Sequence, residues 1–231
     1  MNPDSTRKND GYNKAKKIRR TKSTVGNRRD TAYRAADLIS KVLAPQPFAF
    51  LVVLILAFAS PIGTGPILNS LYCFLLGIIF IVFLPVSPVL VAYALGRVDI
   101  WVSSRTRRTP FFIFAILIYL IGSLIFFYGK STAMYAISLS YVFVTLSVAI
   151  INLKWKISVH TAGVSGPSTA LVGVFGLVAL PVVALIVLVV WSRIKLKAHT
   201  TWQSIAGAIV GTLVTLGVYV LFYPLLGPSF L

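Results

Sequence analysis

The chain contains two histidines, His160 and His199, and each stands at the end of an apolar run beside basic residues. The second cluster reads Ser192-Arg193-Ile194-Lys195-Leu196-Lys197-Ala198-His199-Thr200-Thr201-Trp202-Gln203. The first reads Lys156-Ile157-Ser158-Val159-His160. A third basic stretch, Arg105-Thr106-Arg107-Arg108-Thr109-Pro110, precedes both. An imidazole can act as a nucleophile or move a proton, and a guanidinium can fork onto two oxygens of an anion. Ionisable side chains beside membrane-crossing segments are costly to place and are often functional. Taken singly, either histidine reads as well as an interfacial side chain of the kind that Trp155, Trp191 and Trp202 represent. Gln203 lies four residues after His199, so on a helix its carbonyl could accept the ring N–H.

Together these clusters resemble the signature of the type 2 phosphatidic acid phosphatase superfamily, which includes the vanadium haloperoxidases. Ser192-Arg193, five residues and His199 resemble the third motif of that family. The family pattern continues with three residues and an Asp, where this chain has Gln203. Ser158 and His160 resemble the second motif, Pro-Ser-Gly-His, with Ile157 and Val159 replacing Pro and Gly. The first motif, a Lys, six residues and Arg-Pro, is not matched literally, and Arg105 to Pro110 occupy its place in the order. The likeness covers about residues 97–223.

The resemblance implies an all-α membrane bundle and a metal-independent phosphatase without a cofactor, acting on a lipid phosphate or diphosphate. Phosphatidate-like lipids and polyprenyl phosphates are the implied substrate classes. It assigns His199 as the nucleophile that forms a phosphohistidine, and His160 as the acid for the leaving alkoxide. Arg193, Arg105, Arg108 and Lys156 would neutralise phosphate charge, with Ser158 donating a further hydrogen bond. Gln203 would orient His199 without the negative charge of the family Asp, a loss that costs several powers of ten in a serine protease triad. A family member that binds lipid phosphate or a protein partner without turnover is therefore the alternative. After residue 46 the sole acidic residue is Asp99, so a two-metal site is not expected.

The elements that must position these residues are apolar. The chain is 57% hydrophobic and 12% charged, against roughly a quarter charged in a soluble domain. Apolar runs follow one another at Phe48–Pro61, Ile67–Gly96, Phe111–Tyr128, Met134–Leu153, His160–Trp191 and Trp202–Tyr223. Each is to be compared with the ~20 residues that cross a bilayer. Pro85 and Pro88 are expected to kink or break the second. The fifth would span about 48 Å as one straight helix, and Gly176 and Pro181 offer a turn that makes it a hairpin. Six or seven membrane helices follow, depending on that turn. Gly207, Gly211 and Gly217 read as helix-packing positions in the last.

Charge sets the expected orientation. Lys plus Arg number 22 against 5 Asp plus Glu, a net +17, and residues 1–46 hold twelve of those cations. The first 29 residues lack core-forming side chains and read as disordered. Ala35, Leu38, Ile39 and Val42 then form the stripe of a short interfacial helix, ended by Pro45 and Pro47. The tail is expected to lie on an anionic membrane surface, and no nucleic acid partner is expected. With seven spans, all the later cations except Lys130 share the tail's side. The positive-inside rule makes that side cytoplasmic, in the cell membrane. A transporter or channel ranks below these readings, because the spans contain no Asp, Glu, Lys or Arg near mid-membrane. The oligomeric state is not legible here.

Overall fold

The computed structural model describes residues 31–222. The expected disorder of the first 29 residues and the end of the last apolar run at Tyr223 lie outside them. The described residues form helices joined by short loops, with no strand among them. The helices are α1 (Thr31–Val42), α2 (Pro45–Ala59), α3 (Ser70–Gly77), α4 (Leu84–Ala94), α5 (Thr109–Tyr128), α6 (Thr132–Asn152), α7 (Val159–Phe175), α8 (Ala184–Lys195) and α9 (Thr201–Phe222). Five helical stretches among the described residues are long and apolar enough to cross a membrane, with Val159–Lys195 counted as one stretch, or six if the bent pair α1 and α2 counts as one span. Outward-facing Leu117, Leu124, Leu213 and Leu221 are exposed, which suits a surface solvated by lipid tails rather than water.

Local sequence explains where these helices start and how they tolerate proline. Asn69 caps α3 by accepting the Tyr72 N–H at 2.9 Å, satisfying one of the donors a helix start leaves open. Pro45 and Pro110 occupy first-turn positions of α2 and α5, where the missing N–H costs nothing. Pro85 and Pro88 do not break the second run, which continues over Ser70–Ala94. A π-helical turn at Ile78–Phe83 shifts the ladder, so that the Leu84 N–H bonds the Ile79 carbonyl. Ser87 Oγ donates to the Leu84 carbonyl at 2.8 Å, the acceptor that Pro88 would otherwise leave unpaired. Within a bilayer such local repairs are what make proline affordable.

Val159–Lys195 is a doubled-back run. Laid straight, its 37 residues would separate its ends by about 55 Å. Instead Lys156 Nζ, just before it, reaches the Ala198 carbonyl, just after it, at 3.4 Å. Gly176, at φ +67°, begins the 3-10 turn Gly176–Val183 between α7 and α8, a conformation that suits a residue without a Cβ. The hairpin reading of this segment holds, and it returns the cluster of Arg193 and His199 to the end of the bundle where Lys156 and His160 lie.

Small residues then draw α9 onto α7. A Cβ on Gly207 would meet Thr161 Oγ1 at 2.2 Å, and one on Gly211 would meet Ser165 Oγ at 2.1 Å. Both are packing positions, as read from sequence. Gly217 is not: no atom lies within 4 Å of its Cβ position. Helix α1 divides its stripe: Leu38 and Val42 are exposed, Ile39 packs against the core, and Ala36, Ser40 and Leu43 are buried against the bundle. It stops at Val42 and bends by 51° into α2.

Candidate active site

The three basic loops and the α1–α2 bend meet at one end of the bundle around a cavity of about 440 Å³. His160, His199, Arg193 and Arg108 all line it, although as many as 91 positions separate them in sequence. The opposite end carries the loops near Gly65 and Lys130, where a Cβ on Gly65 would collide with the Lys130 carbonyl.

His199 is set by a tight exit from α8. Lys197 takes φ +54°, the left-handed position that commonly ends a helix. The N–H groups of Ala198 and His199 then bond back to the Arg193 carbonyl at 3.1 and 3.4 Å. His199 Nδ1 lies 3.2 Å from Gln203 Oε1. The Thr200 N–H donates to the same oxygen at 3.1 Å, which identifies that atom as the acceptor rather than the amide nitrogen. Nδ1 therefore carries the proton, and the lone pair is on Nε2. Burial, and then the positive charges of Arg108, Arg193 and Lys156, push His199 down to about 4, against the opposing Gln203 hydrogen bond. The free site holds this imidazole neutral at ordinary pH.

His160 sits in the first turn of α7, with Trp101 edge-on at 4.9 Å between ring centres. Its Nε2 is buried without a partner, and so is Nε of Arg193. Two orphaned polar atoms on one cavity are uncommon in a folded protein, and a bound ligand with acceptor oxygens would satisfy the guanidinium. Arg193 lies in the last turn of α8, where the helix dipole favours a cation. Arg108 is held by two carbonyls, Nε to Val102 at 2.8 Å and Nη1 to Ile157 at 3.3 Å. Val102 has φ +42°, costly for a β-branched residue. Asp99 supports that loop, its carboxylate accepting from the Ser103 N–H at 2.9 Å and the Ser103 hydroxyl at 2.8 Å. Burial alone would push Asp99 up, but hydrogen bonds from Ser103, its own backbone and Trp101 hold it below its usual value.

Lys156 is not among the residues lining the cavity but lies within electrostatic reach of Arg108 and Arg193. Burial, then the charges of Arg108 and Arg193, hold its ammonium below the usual lysine value, against the opposing Asp99. Three cations thus sense one another here, a gathering that low-dielectric surroundings disfavour unless an anion joins them. Among the described residues no group of three His, Cys, Asp or Glu side chains comes together.

Two expected phosphate ligands lie elsewhere. Arg105 Nη1 donates to the Asn152 carbonyl at 2.7 Å and also to that of Leu153, stapling the end of α6 to the α5 approach. The short 3-10 turn Arg105–Arg107 separates its direction from that of Arg108. Ser158 is fully buried and caps α7, its Oγ accepting the Thr161 N–H at 3.4 Å. Replacing Arg105 with Met is expected to cost about 1 kcal/mol of stability, the net worth of hydrogen bonds from a partly exposed cation. Thermal unfolding in detergent would read that loss, while phosphate affinity should stay within about twofold of wild type. A large fall in phosphate affinity at unchanged stability would return Arg105 to the site.

Sequence reasoning missed Ser40, Trp101 and the Val102 carbonyl. Their roles come from loop geometry and from a helix far away in the chain, and no motif marks them. Comparison with protein-family models, with curated proteins and with solved structures finds no match.

Proposed function

We propose that this chain is a membrane phosphatase that hydrolyses a lipid phosphate or diphosphate through a phosphohistidine intermediate. The observation that carries the reading is the shared cavity of His199, His160, Arg193 and Arg108, with Arg193 Nε and His160 Nε2 unpartnered. Arg193 and Arg108 hold the phosphoryl oxygens. His199 Nε2 attacks phosphorus as the bond to the lipid oxygen breaks, and His160 gives that oxygen its proton. Water then attacks phosphorus, giving a proton to His160, and the phosphorus–nitrogen bond breaks with its electron pair returning to His199 Nε2 as phosphate is released. This is the chemistry expected of a type 2 phosphatidic acid phosphatase, and His160, Arg193, His199 and Arg108, four of the residues that carry that resemblance, line the cavity, whereas Ser158 and Arg105 do not.

An amphiphilic substrate is supported by a second, apolar chamber of about 160 Å³. It shares Pro45, Val86, Phe111, Phe112 and Val159 with the cavity of the histidines and arginines and continues past Ala115 to Tyr119 and Tyr141. From Phe112 to Tyr119 the chamber follows α5 for roughly 10 Å, away from the charged end. A lipid with its phosphate on the arginines would extend its chain this way. Phosphatidate-like and polyprenyl substrates both fit the proposal, and a cytoplasmic-facing site is part of it, supported by the positive-inside distribution of the basic residues.

The test is phosphate release from a panel of phosphatidates and polyprenyl phosphates in detergent. No release from folded protein across the panel, with phosphate still bound, would favour the reading that Gln203 suggests, a lipid-phosphate binder without turnover. Within an active panel, Ala115→Phe is expected to raise KM for long-chain substrates about tenfold, since each methylene denied burial is worth roughly 0.8 kcal/mol. A butyl phosphate should be unaffected. Equal effects on both would remove the chamber from substrate binding.

A further inference from the structure

Helix α1 brings a hydroxyl group to the phosphate end of the site. Ser40 is buried, and its Oγ accepts a hydrogen bond from Arg193 Nη1 at 2.6 Å, across 153 positions of sequence. The contact is not incidental to a loose tail. Ala36 and Leu43 on either side of Ser40 are buried, and the α1–α2 bend supplies Lys41, Ala44 and Pro45 to the cavity wall.

A guanidinium is a rigid planar fork, and it can meet an oxyanion with either of two edges. Nη1 lies on the side of the side-chain Cδ, so holding it leaves the edge formed by Nε and Nη2. The Nε proton of that edge is the one buried without an acceptor. Unheld, Arg193 could turn either edge to the ligand or bond a nearby carbonyl instead, and binding would have to pay for ordering it. We infer that Ser40 is a positioning residue: by engaging Nη1 it presents the Nε edge of Arg193 to a phosphate group. This rests on the reading of the cavity as a phosphate site, and it adds a residue that the motifs do not contain.

Ser40→Val and Ser40→Thr differ from each other in little but the hydroxyl. The full-length protein in detergent would be titrated with inorganic phosphate by calorimetry, and kcat and KM would be measured on an active lipid phosphate. Ser40→Val is expected to weaken phosphate binding about tenfold, the lower range for a hydrogen bond to a charged group. Its kcat/KM should fall in parallel, and Ser40→Thr should recover both to within about threefold. Ser40→Ala reads the same quantity without added bulk should valine not be accommodated. Equal phosphate affinity in the valine, alanine and threonine variants, each folded, would overturn the inference. So would absence of phosphate binding by the wild type, which would remove the phosphatase reading too. Phosphate binding that depends on the hydroxyl, without release from any lipid phosphate, would support Ser40 while removing only the phosphatase reading.

Discussion

Replacing His199 with alanine is expected to abolish phosphate release, by a factor of at least about 10⁴. Loss of a nucleophile removes the covalent route entirely, and what survives is the rate that binding and charge stabilisation alone provide. The geometry supports this role over that of a bystander imidazole. Gln203 fixes the proton on Nδ1, so the lone pair belongs to Nε2, and burial beside three cations keeps the ring neutral down to about pH 4. Radiolabel from a phosphorylated substrate should be trapped on wild-type protein as an acid-labile adduct and should be absent from His199→Ala. An adduct that persists in the mutant would move the nucleophile elsewhere.

The same substitution has a stability signature. A histidine held at about 4 in the folded chain binds fewer protons than it does unfolded, where its value is near 6.5. Its neutral form is fully accommodated above pH 6.5. Stability is lost as pH falls from there toward 4, by about 3 kcal/mol in total. His199→Ala should lack that part of the acid sensitivity, so its thermal unfolding should depend less on pH between 6.5 and 4 than the wild type's. This second readout requires no substrate.

How much of this was legible depends on whether a residue's role is local or long-range. The apolar runs gave the helices because bilayer thickness and helix rise leave little freedom. The turn at Gly176 was readable because one straight helix would have been too long. Convergence of His160, Arg193, His199 and Gln203 followed from that turn together with the motif spacing. Arg105 and Arg108 could not be told apart. They lie three residues apart on a turn of unknown pitch, and one points at the α6 carbonyls while the other points into the cavity. Ser158 has the composition of a phosphate ligand and equally that of an N-cap, and the helix start took it. Gly217 shares the four-to-six-residue rhythm of Gly207 and Gly211 but faces away from α7. The stripe on α1 was readable as amphipathic, yet which face would meet the bundle was not. In lipid an apolar side chain can point outward, as Leu38 and Val42 do, and here the polar Ser40 points in.

Gln203→Asp is the substitution that separates a slowed catalyst from a binding protein. Gln203 Oε1 already accepts from His199 Nδ1 and from the Thr200 N–H, so a shorter carboxylate at this position would need a small shift of the helix start to reach both. Once there, it would supply the one feature the amide lacks, a negative charge beside the imidazolium that develops as the phosphohistidine is formed and broken. An opposite charge at this range raises an imidazole by roughly one to three pKa units. The acid limb of kcat/KM, which reports the free enzyme, is therefore expected to move up from near 4 toward the usual histidine range. The rate should rise on the order of a hundredfold, part of the several powers of ten that separate acid from amide in a triad. A shifted limb with no gain in rate would mean that Gln203 fits a site whose slow step does not depend on imidazolium stabilisation. Wild type and variant that both bind phosphate and both fail to release it would identify the cavity as a receptor for lipid phosphate, because the charge missing from the motif would then have been restored without restoring chemistry.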